Sequence, residues 1–192
     1  MKKVLLLLAN GFEIFEASAF IDVMGWNLEE GDGNTTLYTC GLTKTLTSTF
    51  NQKLIVDYLI DEIDINDYDA LAIPGGFEQY HFYEDAFSEP FLDVIQRCDK
   101  TQHPVSSKCT GALPIAQSGI LKNKQGTTYN KNPHRQDMLR DFGVSVIQRP
   151  IVMDGNITTS WNPSTAVDVA LLLLEQLTSQ KNALKVRNLM GF

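Results

Sequence analysis

Apolar residues fall along the chain in short blocks that alternate between unbroken runs and helical spacing. Val4–Ala9 is an unbroken run, as expected of a strand buried on both faces of a parallel sheet. Ile14–Glu30 follows with Phe15, Phe20, Val23 and Met24 at roughly helical intervals. Thr35–Cys40 predicts a second strand closed by Gly41, and the Thr-rich stretch 42–60 a short hairpin or edge strands. Ala70–Ile73 predicts a buried strand that stops at Pro74-Gly75-Gly76. Glu84–Asp99 then reads as one helix, with Phe87, Phe91, Ile95 and Cys98 along a face.

Val105–Lys108 predicts the next strand and Gly111–Ser118 a short helix ended by Gly119. Gly126–Tyr129 and Val144–Ile147 are candidate strands around a helix near Gln136–Phe142. Ile151–Met153 and Ile157–Thr159 flank Asp154-Gly155, a pair that supplies the turn of a hairpin. Pro163 sits near the start of a last long helix, Ser164–Leu177, where proline is tolerated. Strand–helix alternation of this kind predicts an α/β fold with a mostly parallel sheet covered on both faces. With no repeats or linkers, 192 residues read as a single domain, residues 180–192 forming a C-terminal extension.

Composition narrows the function. A net charge of −7 without basic clusters argues against nucleic acid and against an anionic membrane surface. Lys2 and Lys3 before the first apolar run resemble a signal peptide, but the run is short and ends in Asn10-Gly11, with Glu13 and Glu16 close behind. No stretch approaches the ~20 apolar residues of a spanning helix. Cys40, Cys98 and Cys109 are odd in number and lack CxxC spacing, so neither a disulfide framework nor a zinc site is expected. A reduced cytoplasm fits them.

Reactive groups in open parallel sheets gather beyond the carboxyl ends of the strands. In Ser107-Lys108-Cys109-Thr110-Gly111 a small residue lies two before the cysteine and a glycine two after it. A nucleophile elbow needs that spacing, because bulky neighbours collide in so sharp a turn. It would point the thiol outward at a helix N-terminus, where the dipole favours thiolate. A buried structural cysteine is the competing reading. Pro74-Gly75-Gly76 is either a plain chain reversal or a source of free backbone amides for an oxyanion hole. Glu13 and Glu16 read as early-helix carboxylates, or Glu16 as a partner of the cysteine; spacing leaves this open.

Three segments together resemble the ThiJ/PfpI family: Ala9-Asn10-Gly11-Phe12-Glu13-Ile14-Phe15-Glu16, Tyr68–Gly76, and Cys109-Thr110-Gly111-Ala112. The likeness continues through Gly126-Thr127-Thr128 and Val152–Ser160 to Ala166–Ala170. It implies a flavodoxin-like three-layer sandwich, related to class I glutamine amidotransferase domains and homodimeric. By position it implies that Cys109 is the nucleophilic, oxidisable cysteine and Glu16 its hydrogen-bonding acid. Gly76, next to Gly75, and Thr110 would offer the oxyanion amides. The dimer surface is expected near the first helix, where Phe15 and Phe20 beside Val23 and Met24 exceed what one core face needs.

Departures from the family pattern matter as well. The two places where relatives carry a histidine hold Thr110 and Tyr129. His134, after Asn130-Lys131-Asn132-Pro133, and His81 are the candidates to reach the pocket, whereas His103 reads as a strand lead-in. A protease triad gains no support. Trp161 is expected to narrow the pocket where some relatives carry an anion-binding arginine. The expected activity is attack by Cys109 on a small electrophile, an α-oxoaldehyde such as methylglyoxal, without metal or organic cofactor. The alternatives are isonitrile hydration, to which the Cys-Thr-Gly form is similar, amide hydrolysis, and redox sensing through oxidation of Cys109 to sulfinate.

Overall fold

The structure, a computed structural model, describes residues 1–192. Its strands are β1 (Lys2–Leu8), β2 (Thr35–Gly41), β3 (Thr45–Thr47), β4 (Lys53–Ile55), β5 (Tyr58–Leu59), β6 (Ala70–Ile73), β7 (Val105–Ser107), β8 (Gln125–Gly126), β9 (Ser145–Val146), β10 (Ile151–Asp154) and β11 (Ile157–Ser160). Its helices are α1 (Ile14–Glu30), α2 (Phe82–Ala86), α3 (Glu89–Lys100), α4 (Ala112–Gln117), α5 (Pro133–Asp141), α6 (Ala166–Leu177) and α7 (Gln180–Leu189). Seven strands form the central sheet in the order β10-β11-β7-β6-β1-β2-β5. All its pairings are parallel except the edge hairpin of β10 and β11.

The unbroken apolar run of β1 has a direct cause. Leu5 and Leu7 enter one core with Phe91, Ile95 and Leu113, and Val4, Leu6 and Leu8 enter the other with Phe20, Val23 and Leu173. Both faces are covered, so no position of β1 is free to be polar. The chain leaves β1 toward β2 on one side and comes back through β6 on the other. The crevice therefore opens beyond the ends of β1 and β6, the switch point where such sheets bind ligands. Neighbouring β7 delivers Cys109 to the same end.

Several boundaries differ from the sequence expectation. Residues 84–99 are not one helix: α2 ends at Ala86, and α3 starts at Glu89 after an extended Ser88, with Pro90 in its first turn. Proline lacks an N–H and cannot continue the preceding helix. The strand expected at Gly126–Tyr129 pairs only through Gln125–Gly126, because the Thr127 N–H turns to the Thr159 hydroxyl at 2.9 Å. The helix expected near Gln136 begins at Pro133, where the Asn132 side chain caps the His134 N–H. The last long helix starts at Ala166, after a 3-10 turn over Pro163–Thr165. The C-terminal extension begins with α7, whose Ala183 and Val186 join the core beside α1 and α6.

Candidate active site

The elbow is built by sterics that the sequence spelled out. Lys108 is extended, and Cys109 then adopts φ 49°, a left-handed conformation that a side chain rarely takes. Such strain costs on the order of 1–3 kcal/mol and persists only where the surroundings fix it. Here the Lys108 N–H donates to Ile73 O at 3.1 Å, Gly111 N–H to Lys108 O at 2.8 Å, and the Thr128 hydroxyl to Cys109 O at 2.8 Å. A side chain at Gly111 would lie 2.8 Å from the carbonyl oxygens of Ile73 and Pro74, which is why glycine stands two after the cysteine.

Glu16 reaches the elbow from the first turn of α1 and is fully buried. Its Oε2 accepts the Gly75 N–H at 2.6 Å, while Oε1 has no partner. A Cβ on Gly75 would lie 2.8–2.9 Å from Thr110 Oγ1, Cys109 Cβ and Glu16 Oε2. Three side chains thus converge on a point that only glycine leaves open. Burial raises the Glu16 pKa from 4.5 to about 7, against the Gly75 hydrogen bond and the charge of Lys108. Burial also pushes the Cys109 thiol well above its ordinary value, and the charge of Glu16 adds to this. The N–H and side chain of Thr110 oppose that rise. Two neighbouring acids so placed titrate as a pair rather than independently.

The dipole effect expected from the helix after Cys109 is therefore outweighed. A 3-10 turn intervenes and α4 is six residues long, whereas burial acts on the sulfur directly. Of the three amides expected to face a substrate oxygen, those of Gly75 and Gly76 are engaged within the protein, whereas the Thr110 N–H is turned to Cys109. Gly75 N–H is held by Glu16, and Gly76 N–H donates to Thr110 Oγ1 at 2.9 Å. The same hydroxyl donates back to Gly76 O at 2.9 Å.

These groups floor a cavity of about 220 Å³, whose wall includes Glu13, Phe77, Glu78, Tyr129, Asn132, Arg135 and Pro163. Tyr129 is where the sequence placed it. His81 and His134 are not in the lining. His81 is exposed and its Nδ1 lies 2.7 Å from Glu84 Oε1. His134 and Arg135 are successive residues of α5, so their side chains leave the helix about 100° apart, and Arg135 takes the inward direction. Its Nη2 binds Glu78 Oε2 at 2.5 Å, and its guanidinium lies 4.9 Å from the Tyr83 ring centroid. Trp161 is half-buried and lies outside the lining, which Pro163 joins instead.

Arg135, Glu78 and Lys108 were not singled out by sequence. Lys108 is fully buried. A lysine closing a strand expected to lie inside the parallel sheet was the available signal, since a charge there is out of place. Cys40 and Cys98 are buried, and burial raises both thiols to about 12. No group of three or more His, Cys, Asp or Glu side chains is arranged to hold a metal, and no helix is long and apolar enough to cross a membrane.

Residues 2–176 match the DJ-1/PfpI family. The chain belongs to that family. It is 28% identical over 162 residues to the protein named deglycase PfpI from Pyrococcus furiosus, covering 84% of this chain and 90% of that one. It is 29% identical over 185 residues to protein DJ-1 homolog B from Arabidopsis thaliana, covering 96% of this chain and 40% of the plant protein. The chain thus spans about two fifths of the length of that plant relative. The crystal structure of Drosophila melanogaster DJ-1beta superimposes with a TM-score of 0.85 at 22% identity, covering 98% of this chain and 97% of that one. The flavodoxin-like DJ-1/PfpI fold expected from sequence is the fold observed.

Proposed function

We propose that the protein is a cofactor-independent enzyme in which Cys109 attacks the aldehyde carbon of a small α-oxoaldehyde such as methylglyoxal. The observation that carries this reading is the meeting of the strained Cys109 elbow with buried Glu16 at the floor of a small cavity. As the sulfur bonds to the aldehyde carbon, the thiol proton passes to Glu16 and on to the new oxyanion. The oxyanion takes the Gly76 N–H in place of the Thr110 hydroxyl. Glu16 then removes the hydrogen from the former aldehyde carbon and returns a proton to the adjacent carbon, leaving a thioester. Water cleaves it to a 2-hydroxy acid and restores the thiol. Dicarbonyl plus water equals hydroxy acid, so no external oxidant enters.

A carboxyl with a pKa raised to about 7 suits both directions of proton transfer at neutral pH. The name deglycase of the Pyrococcus relative is in keeping with chemistry at an electrophilic carbonyl. Redox sensing has less support, because a resting thiolate favours it, whereas burial and the Glu16 charge both push the Cys109 thiol upward. Amide hydrolysis has less support as well, since no histidine lines the cavity to protonate a leaving amine. A reducing compartment such as the cytoplasm suits three free cysteines.

The test is formation of 2-hydroxy acid from methylglyoxal, with loss of product in Cys109→Ala. Wild-type protein that is alkylated at Cys109 yet forms no hydroxy acid would refute the reading. A homodimer through the outer face of α1 completes the proposal. Phe20, Val23 and Met24 are core residues, so the apolar surplus lies with Ile14, Phe15, Ile21 and Trp26, of which Phe15 is 55% exposed. Light scattering should give twice 21.5 kDa, and the monomer mass would refute it.

A further inference from the structure

Among 16 Lys and Arg residues, Lys108 alone is fully buried, and no step of the proposed attack passes through it. The elbow sets its place: β7 ends at Ser107, Lys108 continues extended, and its side chain runs beneath α1. Nζ donates to the main-chain oxygen of Glu16 at 2.7 Å and lies 3.4 Å from the ring centroid of Phe20. The two contacts are one helical turn apart on the same helix. A carbonyl oxygen and an aromatic face both favour an ammonium over a neutral amine. A buried cation is nonetheless disfavoured unless an anion accompanies it.

We propose that Lys108 is a positioning residue of the site: its ammonium is the counter-charge for the negative charge that forms on Glu16 or Cys109. The inference rests on the reading of Cys109 as nucleophile. In the reactive form the three groups hold two protons. With protons on Lys108 and Cys109, Glu16 is the carboxylate that receives the thiol proton. With protons on Lys108 and Glu16, Cys109 is the thiolate that attacks. Exchange between these forms moves one proton from sulfur to oxygen and leaves the three groups without net charge. Without the ammonium, the Glu16 carboxylate stands alone in a buried place. The charges acting within and on this set are few: Glu16 acts on Lys108 and on Cys109, Lys108 and Glu13 act on Glu16, and Cys109 acts on Tyr83. Burial draws the Lys108 pKa well below its ordinary value, and the Glu16 charge opposes that, so amine and carboxyl depend on one another.

The test is the rate of Cys109 alkylation by limiting iodoacetamide between pH 5 and 10, with peptide mapping. Lys108→Met keeps the length and apolar stem and removes the charge. Alkylation at pH 7 should slow about tenfold, the midpoint should move to higher pH, and the plateau at high pH should be retained. Phe20→Leu keeps Lys108 but removes the ring beneath it, and should move the midpoint the same way, slowing the rate about two- to fivefold. A Lys108→Met midpoint equal to that of the wild type overturns the proposal, as does a lowered plateau with an unmoved midpoint. If Lys108→Met does not fold, carbon NMR of the wild type labelled at lysine Cε decides. An ammonium signal for Lys108 at pH 8 supports the proposal, and a neutral amine overturns it. A wild-type Cys109 no faster than Cys40 or Cys98 overturns the nucleophile reading and the role of Lys108 with it. A fast Cys109 with an unmoved variant midpoint overturns the Lys108 proposal alone.

Discussion

Glu16 at the floor of the cavity and Lys108 behind it are fully buried, whereas at the rim Glu78 and Arg135 meet with the Glu78 side chain 65% exposed. Each glutamate has a cation nearby, yet their acidities move in opposite directions. The hydrogen bond and charge of Arg135 hold Glu78 below the usual carboxylate range, because water still solvates it and burial adds little. At Glu16 burial outweighs the pull of Lys108 and raises the pKa to about 7. The rim carboxylate is thus fixed in its charged form and suited to orienting a substrate. The floor carboxyl can gain or lose a proton at neutral pH, which is what proton transfer during turnover requires.

The largest effect of breaking this contrast is expected at the floor. Glu16→Leu removes the proton carrier and leaves the buried Gly75 N–H unpaired. Turnover of methylglyoxal should fall by about 10²–10⁴-fold. Folding stability, read by urea unfolding, should fall by about 1–3 kcal/mol. An equal loss of turnover in Glu78→Gln would erase the distinction between floor and rim.

A pH series sharpens it. Between pH 4.5 and 7 native Glu16 keeps a proton that the unfolded chain has released. The stabilisation is therefore complete below pH 4.5 and is lost as pH rises through 7, by about 3 kcal/mol. Glu78 has the opposite sign: its contribution is present at neutral pH and lost on acidification. Urea midpoints across this range should show the first slope in the wild type and its absence in Glu16→Gln. A slope unchanged in Glu16→Gln would assign it to another group.

The smallest effect belongs to the rim. Glu78→Gln breaks a largely exposed pair with Arg135, of a kind worth about 0–1 kcal/mol, so stability should barely change. KM should shift by less than about fivefold with kcat nearly constant, the pattern of an interaction made equally in ground and transition states. A fall in kcat alone would move Glu78 into the proton-transfer machinery.

The sequence by itself determined what depends on near neighbours. The buried run of β1, the Asp154-Gly155 hairpin and the Cys109 elbow follow from backbone sterics and apolar periodicity, which act over a few residues. The break before α3 was legible too, in Pro90, though helical spacing across residues 84–99 masked it. The tertiary structure decided which groups meet and what charge each carries. Glu16 and Gly75 are 59 positions apart, and Lys108 and Glu16 are 92 apart. Spacing therefore gave no sign that the Gly75 amide is occupied or that Lys108 lies under α1. Which of two adjacent side chains, His134 or Arg135, enters the cavity is settled by the angle at which α5 packs. Acidity at Glu16 and Cys109 follows from burial and from charges brought close by the fold. Distance and solvation set those energies, and neither exists until the chain has closed on itself.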